Sequence, residues 1–193
     1  MTPILAFDTA RAHCAACLLV DGQAFVRVDE MAKGQAEHLM PMLEEVLADR
    51  GLAWADLGAV GVGTGPGNFT GIRISVAAAR GLALGLQIPA VGVTHLEAQV
   101  HGMPRPVTAL CPAPRGQMYL QDFGEQTGTT ELLTGDDPRV MAAAAPLPAS
   151  ALITHIAEIT ARRAHKTPAR PAPFYVRPAD AAPPRDPAPV ILD

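Results

Sequence analysis

The sequence predicts an α/β fold, a mixed sheet with helices packed on it, and three observations carry that prediction. Strand-like and helix-like segments follow the order β-β-β-α-β-α-β-α before a smaller α+β unit, the pattern of a sheet covered by helices. The pair Asp21-Gly22 lies between two apolar runs, a strong hairpin signal. A glycine-rich segment from Gly61 to Gly71 joins a short apolar strand to an apolar helix. With 193 residues, 49% hydrophobic and 18% charged, the chain can bury the core of one or two small domains.

The first strand spans residues 4–7 and runs into Asp8-Thr9, and residues 13–20 and 24–28 form the arms of the hairpin. Leu39, Leu43, Val46 and Leu47 recur at helical spacing within residues 35–50, and Gly51 supplies a stop. Pro41 implies either a first turn beginning near His38 or a kink. Residues 59–63 read as a buried strand, 65–70 as a loop, 71–86 as a second helix and 89–93 as another strand. Thr94 and Glu97 have the spacing of a capping box for a third helix. Farther on, residues 107–111 and 118–123 read as strands around Pro112-Ala113-Pro114-Arg115-Gly116. Ser150 is expected to cap a helix running to about His165, and the proline-dense tail holds at most one short strand, residues 174–176. Because 13 of 17 glycines precede Arg105 and 15 of 19 prolines lie from Pro104 onward, the expected division is 1–103 and 104–193.

Composition argues against several chemistries. Ser75 and Ser150 are the only serines and neither lies in a G-x-S-x-G elbow, which argues against a serine hydrolase. The N-terminus MTPILAFDTA has no basic segment leading to a small-residue cleavage site, and no run of about 18 residues lacks charge, Gly and Pro, so the expected location is cytoplasmic, with no membrane partner. Cys14, Cys17 and Cys111 are an odd number and are read as buried structural thiols in a reducing compartment. Cys14 and Cys17, three apart on one strand, point to opposite faces and lack a second ligand pair for zinc. The six histidines show no pair at ligand spacing, and Glu37-His38 is no H-E-x-x-H because Gly34 and Met42 stand four residues either side of His38. His38 is read as a surface or interface residue, and neither a catalytic residue nor a metal ligand is expected.

The segment Gly61-Val-Gly-Thr-Gly-Pro-Gly-Asn-Phe-Thr-Gly-Ile-Arg73 places backbone amides at a helix N-terminus, where an anion can be received. It lacks the lysine of a P-loop, and no register yields G-x-G-x-x-G because the sixth position falls on Pro66, Asn68 or Thr70. By itself it reads as a tight structural turn or, second, as a ligand loop. The helix that follows has two apolar or small faces, one with Ile72, Val76, Ala79, Ala83 and Leu86, the other with Ile74, Ala77, Ala78, Gly81 and Gly85. The chain's own sheet can cover one; the second then needs a neighbour, either the chain's first helix or a partner helix approaching closely over Ala77, Gly81 and Gly85.

Five segments together resemble the bacterial TsaB (YeaZ) family: Ile4-Leu-Ala-Phe-Asp-Thr9, Gly34-Gln-Ala-Glu-His-Leu-Met-Pro41, Gly63-Thr-Gly-Pro-Gly-Asn-Phe-Thr-Gly-Ile-Arg73, Gly81-Leu-Ala-Leu-Gly-Leu86 and Val91-Gly-Val-Thr-His-Leu-Glu97. Arg115-Gly-Gln-Met-Tyr119 and Pro173-Phe-Tyr-Val-Arg177 look like its later signatures, whereas Asn68 stands where that family usually has Ser and the second half is shortened. The resemblance implies an ASKHA fold, the duplicated actin, Hsp70 and ribonuclease H-like mixed sheet. It also implies a non-catalytic accessory subunit that pairs with a TsaD-like protein, alongside a TsaE-like ATPase, for threonylcarbamoyl transfer to adenosine of tRNA. Pairing with TsaD, or as a homodimer, would run through Glu37, His38, Ile74, Ala77, Ala78, Gly81 and Gly85. In ASKHA proteins the position of Asp8-Thr9 is a phosphate motif whose carboxylate holds metal. ATP or ADP with Mg would thus meet Asp8, Thr9, Gly65, Gly67, Asn68 and Thr70, at a site dependent on the partner. The cluster Arg162, Arg163 and Lys166 reads first as a solvated helix end and tail and, second, as a contact for tRNA or the partner. The rival readings are a stand-alone ASKHA ATPase or glycoprotease-like peptidase, and a homodimeric scaffold without a tRNA role.

Overall fold

A computed structural model describes residues 2–143, 145–166 and 168–176. The first sheet is built from β1 (Ile4–Asp8), β2 (His13–Val20), β3 (Gln23–Glu30), β4 (Ala59–Gly63) and β5 (Ala90–Val93) in the order β3-β2-β1-β4-β5. β1, β2 and β3 are antiparallel neighbours, while β4 and β5 run parallel to β1 and to each other. Asp21 and Gly22 both take positive φ, 47° and 80°, as the two-residue hairpin turn between β2 and β3 requires.

All five residues of β1 and of β4 are buried because both faces of the sheet are covered. On one face Leu5, Phe7, Leu18, Val60 and Val62 pack against α1 (Gln35–Ala48) and α2 (Phe69–Leu86). On the other, Ile4, Ala6, Leu19, Val91 and Val93 pack against α5 (Ala149–Arg163) through Leu152, Ile153, Ile156 and Ile159. Cys14 belongs to the first core and Cys17 to the second, as the strand period requires. α1 begins at Gln35 and runs through Pro41, so the helix starts three residues before His38. α2 is long and apolar enough to cross a membrane by length and composition, yet Ile72, Val76 and Ala79 are buried in the core it shares with β4.

The second sheet holds β6 (Val107–Pro112), β7 (Gln117–Phe123) and β8 (Glu131–Thr134), all antiparallel, and meets α3 (His95–Gln99) through Leu96, Val100, Ala109 and Tyr119. A short helix, α4 (Pro138–Ala142), follows, capped by the Asp137 carboxylate.

Several local expectations change. Ser150 lies inside α5, whose N-cap is Pro148, so its hydroxyl does not cap the helix. Thr94 accepts from the Glu97 amide at 3.1 Å as half of a capping box, but the Glu97 carboxylate turns outward to Arg163, whose Nη1 lies 3.1 Å away. Residues 174–176 form no strand; the Phe174 amide donates to the Thr64 carbonyl at 2.8 Å. β8 and α4 lie where no regular element is expected, and Arg177 falls outside the described residues. The chain is divided at 103/104 by composition, yet α5, from beyond that point, forms the second layer on the first sheet.

Candidate functional site

β1, β4 and β5 end side by side, and the carboxyl ends of parallel strands are where α/β folds gather their functional groups. Asp8 is the last residue of β1 and 2% exposed. Its Oδ1 lies 2.9 Å from Nε2 of His95, the first residue of α3, and its Oδ2 lies 3.3 Å from Nε2 of His13 on β2. Oδ2 also accepts from the Ala10 amide at 3.2 Å. Gly63 at the end of β4 makes room for this: a Cβ there would overlap Asp8 Oδ1 and lie 2.9 Å from His95 Nε2.

Burial opposes the Asp8 charge, but the two histidines outweigh it and hold the carboxyl far below the usual carboxylate range. Burial likewise opposes a charged His95, and the facing Asp8 carboxylate, with Cys111, raises its pKa from 6.5 to about 10. The cluster is therefore a buried carboxylate–imidazolium pair. A raised histidine pKa contributes stability that is complete below pH 6.5 and is lost as pH rises through about 10. The lowered carboxyl pKa contributes above 3.8 and is lost as pH falls below it. The urea midpoint is accordingly expected to be highest between about pH 4 and 6.5 and to fall toward pH 10, with a shallower alkaline fall in His95→Gln; parallel alkaline limbs would contradict the pairing.

The glycine loop is packed hard against the turn after β1. Thr9 Oγ1 donates to the Gly71 carbonyl at 2.7 Å, the Asn68 amide donates to the Ala10 carbonyl at 2.7 Å, and the His95 amide donates to the Gly65 carbonyl at 2.8 Å. Asn68 Oδ1 accepts from the Gly71 amide at 2.9 Å and so caps α2. Of the six candidate nucleotide residues, Asp8, Thr9 and Gly65 are buried, Gly67 is half-buried, and only Asn68 and Thr70 are exposed. The fold brings all six to one edge. Asp8 does not fit a magnesium ion there, since both of its oxygens are already engaged and the neighbouring imidazolium repels a cation. No step is therefore assigned to a nucleotide on these residues.

The chain folds back over this loop at its far end. The Tyr175 ring stacks on Phe69 with centroids 4.8 Å apart, and Arg73 lies 3.7 Å over Phe69 while its Nε donates to Tyr175 Oη at 2.9 Å. Arg73 also borders an open groove on α2, lined by Ala77, Arg80, Gly81, Leu84 and Arg170. Ala77, Gly81 and Gly85 are exposed, and Leu84 is 78% exposed. Ile74 and Ala78 are half-buried against the chain's own core. The second face of α2 is thus divided, one flank covered from within and one bare among the described residues.

Glu37 and His38 sit in the first turns of α1, Glu37 exposed and His38 tied to Asp29 at 2.6 Å. Arg162 and Lys166 are exposed near the end of α5, whereas Arg163 is engaged with Glu97. His13, His95, Arg11 and Cys111 were not among the expected site residues: each looks ordinary in its own segment, and they meet only because β1, β2, α3 and β6 converge.

A family model described as TsaD, tRNA N6-adenosine threonylcarbamoyltransferase, matches residues 29–175. The TsaB tRNA threonylcarbamoyladenosine biosynthesis protein of Escherichia coli is 34% identical over 125 residues, 62% of this chain and 54% of that protein. Its namesake from Haemophilus influenzae is 35% identical over 96 residues, 49% of this chain and 40% of that protein. The chain belongs to this family, in its TsaB (YeaZ) branch. The match spans about half the length of these curated relatives. YeaZ from Pseudomonas aeruginosa shares the fold with a TM-score of 0.67 at 22% identity, over 91% of this chain and 100% of that one. A second Pseudomonas aeruginosa structure, described as similar to peptidase YeaZ, superposes with a TM-score of 0.69 at 24% identity, over 92% of this chain and 100% of its own. The mixed sheet with helices on both faces is thus the ASKHA-like fold of this branch.

Proposed function

We propose that this chain is the non-catalytic accessory subunit that pairs with a TsaD-like protein for threonylcarbamoyl transfer to adenosine of tRNA. The observation that carries the pairing is the bare flank of α2. Ala77, Gly81 and Gly85 stand at i+4 steps, and among the described residues nothing lies within 4 Å of a Cβ placed on Gly81 or Gly85. A smooth helical strip of this kind lets a second helix approach to about 8–10 Å. Arg73 and Arg80, beside the groove, favour a partner with acidic residues along its edge. ATP or ADP with magnesium belongs to a site completed by the partner, and Arg162 with Lys166 offers a basic contact for tRNA. The TsaE-like ATPase joins through the complex.

The test is omission followed by a single substitution. Co-purification with the TsaD-like protein of the same genome should yield a pair, and transfer to tRNA should require both chains. Gly81→Leu has room on the free protein and gains helix propensity, so its Tm should hold or rise, while pairing and transfer fall to the level seen without this chain. Unchanged sedimentation of the pair with Gly81→Leu would remove α2 as the contact. ATP or peptide turnover by the chain alone would favour the stand-alone enzyme.

A further inference from the structure

The cluster around Asp8 contains a group that the accessory role does not use. Cys111 on β6 is 1% exposed, and Arg11, on the turn after β1, donates from Nη2 to its sulfur at 3.0 Å. The thiol also faces the Pro66 carbonyl at 3.6 Å, which accepts the proton when the sulfur is neutral. Burial pushes the Cys111 thiol pKa up, and the neighbouring His95 and Arg11 more than reverse it. Asp8 occupies His95 Nε2, and the other ring nitrogen, Nδ1, is buried without a hydrogen-bond partner among the described residues, on a residue 1% exposed. An orphaned ring N–H beside a thiol, on a histidine oriented by a carboxylate, is the arrangement by which a base activates a sulfur nucleophile.

The other two cysteines supply the contrast. Cys14 and Cys17 are as buried as Cys111, but among the described residues no cation stands on them, and burial raises both to about 11. Depth alone therefore does not explain the setting of Cys111.

We propose that Cys111 is a reactive thiolate, paired with the His95 imidazolium and steadied by Arg11, that small hydroperoxides oxidise to a sulfenic acid. The sulfur attacks one peroxide oxygen, forming the S–O bond as the O–O bond breaks. Sulfur loses two electrons and the peroxide gains them. The departing hydroxide or alkoxide takes the proton from His95 Nδ1 and leaves as water or alcohol, so the cluster ends as neutral imidazole and Cys–SOH. Arg11, which bonds the sulfur, is itself partly exposed. Asp8 is a positioning residue in this scheme, fixing the histidine so that Nδ1 remains the proton-bearing position left for the leaving group.

The experiment uses the full chain under native conditions, limiting hydrogen peroxide and dimedone as the sulfenic acid trap, with adducts on the three cysteines quantified by peptide mass spectrometry. Cys111 should carry at least about tenfold more adduct than Cys14 or Cys17. Arg11→Met, at a partly exposed position, and His95→Gln should each lower Cys111 labelling by about tenfold, the first without a change in Tm. Equal labelling of all three cysteines, labelling only after urea, or Cys111 labelling that is unchanged or faster in Arg11→Met would overturn the proposal, the last because Arg11 would then be a plug. None of these outcomes depends on the TsaD-like partner, so the two readings fail separately.

Discussion

Asp8→Ala is expected to lower the unfolding free energy by about 3–5 kcal/mol, because it leaves the buried His95 imidazolium facing an empty space where its counter-charge stood. That is a large share of the roughly 5–15 kcal/mol by which a domain is stable. Asp8→Asn keeps an acceptor for His95 but removes the charge, and a smaller loss of roughly 1.5–3 kcal/mol is expected. The measurement is equilibrium urea unfolding near pH 6, where the pair is fully charged. A loss below about 1 kcal/mol for Asp8→Ala would show that water already screens the cluster.

The second large effect is Gly71→Ala. A Cβ at Gly71 would overlap the Thr9 carbonyl oxygen and lie 3.0 Å from the Thr9 carbonyl carbon and 3.2 Å from Ala10 Cα, all of it backbone. The N-terminus of α2 must then withdraw from the turn after β1, stretching the Thr9–Gly71 and Asn68–Ala10 hydrogen bonds. A cost of about 3 kcal/mol is expected. Gly81→Ala, ten residues along the same helix, is the matched control: its Cβ meets none of the described residues and should stabilise by roughly 0.5–1 kcal/mol through helix propensity. Thermal unfolding of the two variants should therefore shift in opposite directions. A Gly71→Ala protein as stable as the parent would mean that α2 stands farther from Thr9 than the structure places it.

The two glycines show what tells a structural turn from a ligand loop. In sequence both readings of the Gly61–Gly71 segment stand, because amide-rich loops serve either purpose. Packing decides toward structure for most of it: Asn68 and His95 donate their amides to Ala10 and Gly65, and Thr9 donates its hydroxyl to Gly71. What remains exposed of the candidate nucleotide set, Asn68 and Thr70, is too little to enclose a phosphate within this chain alone. The α2 strip, by contrast, was legible as a second smooth face, and the structure adds that its covered flank is Ile74 and Ala78 while its bare flank is Ala77, Gly81 and Gly85.

Short-range signals determined the elements. Alternation and apolar runs placed β1, β2 and β4, the Asp21-Gly22 pair set the hairpin, and helical spacing placed α1 and α2, since each depends on residues within a few positions of one another. β8, four residues without a clear alternation, carried too little signal to be read. The tertiary structure alone decided that α5 returns to cover the first sheet, that residues 168–176 close over the glycine loop, and that Asp8, His13, His95 and Cys111 share one buried site. The reason is physical: period and turn chemistry are local, whereas which surfaces bury one another depends on the whole set of apolar faces available. A buried ion pair spanning 87 residues of sequence leaves no mark on the residues beside either partner.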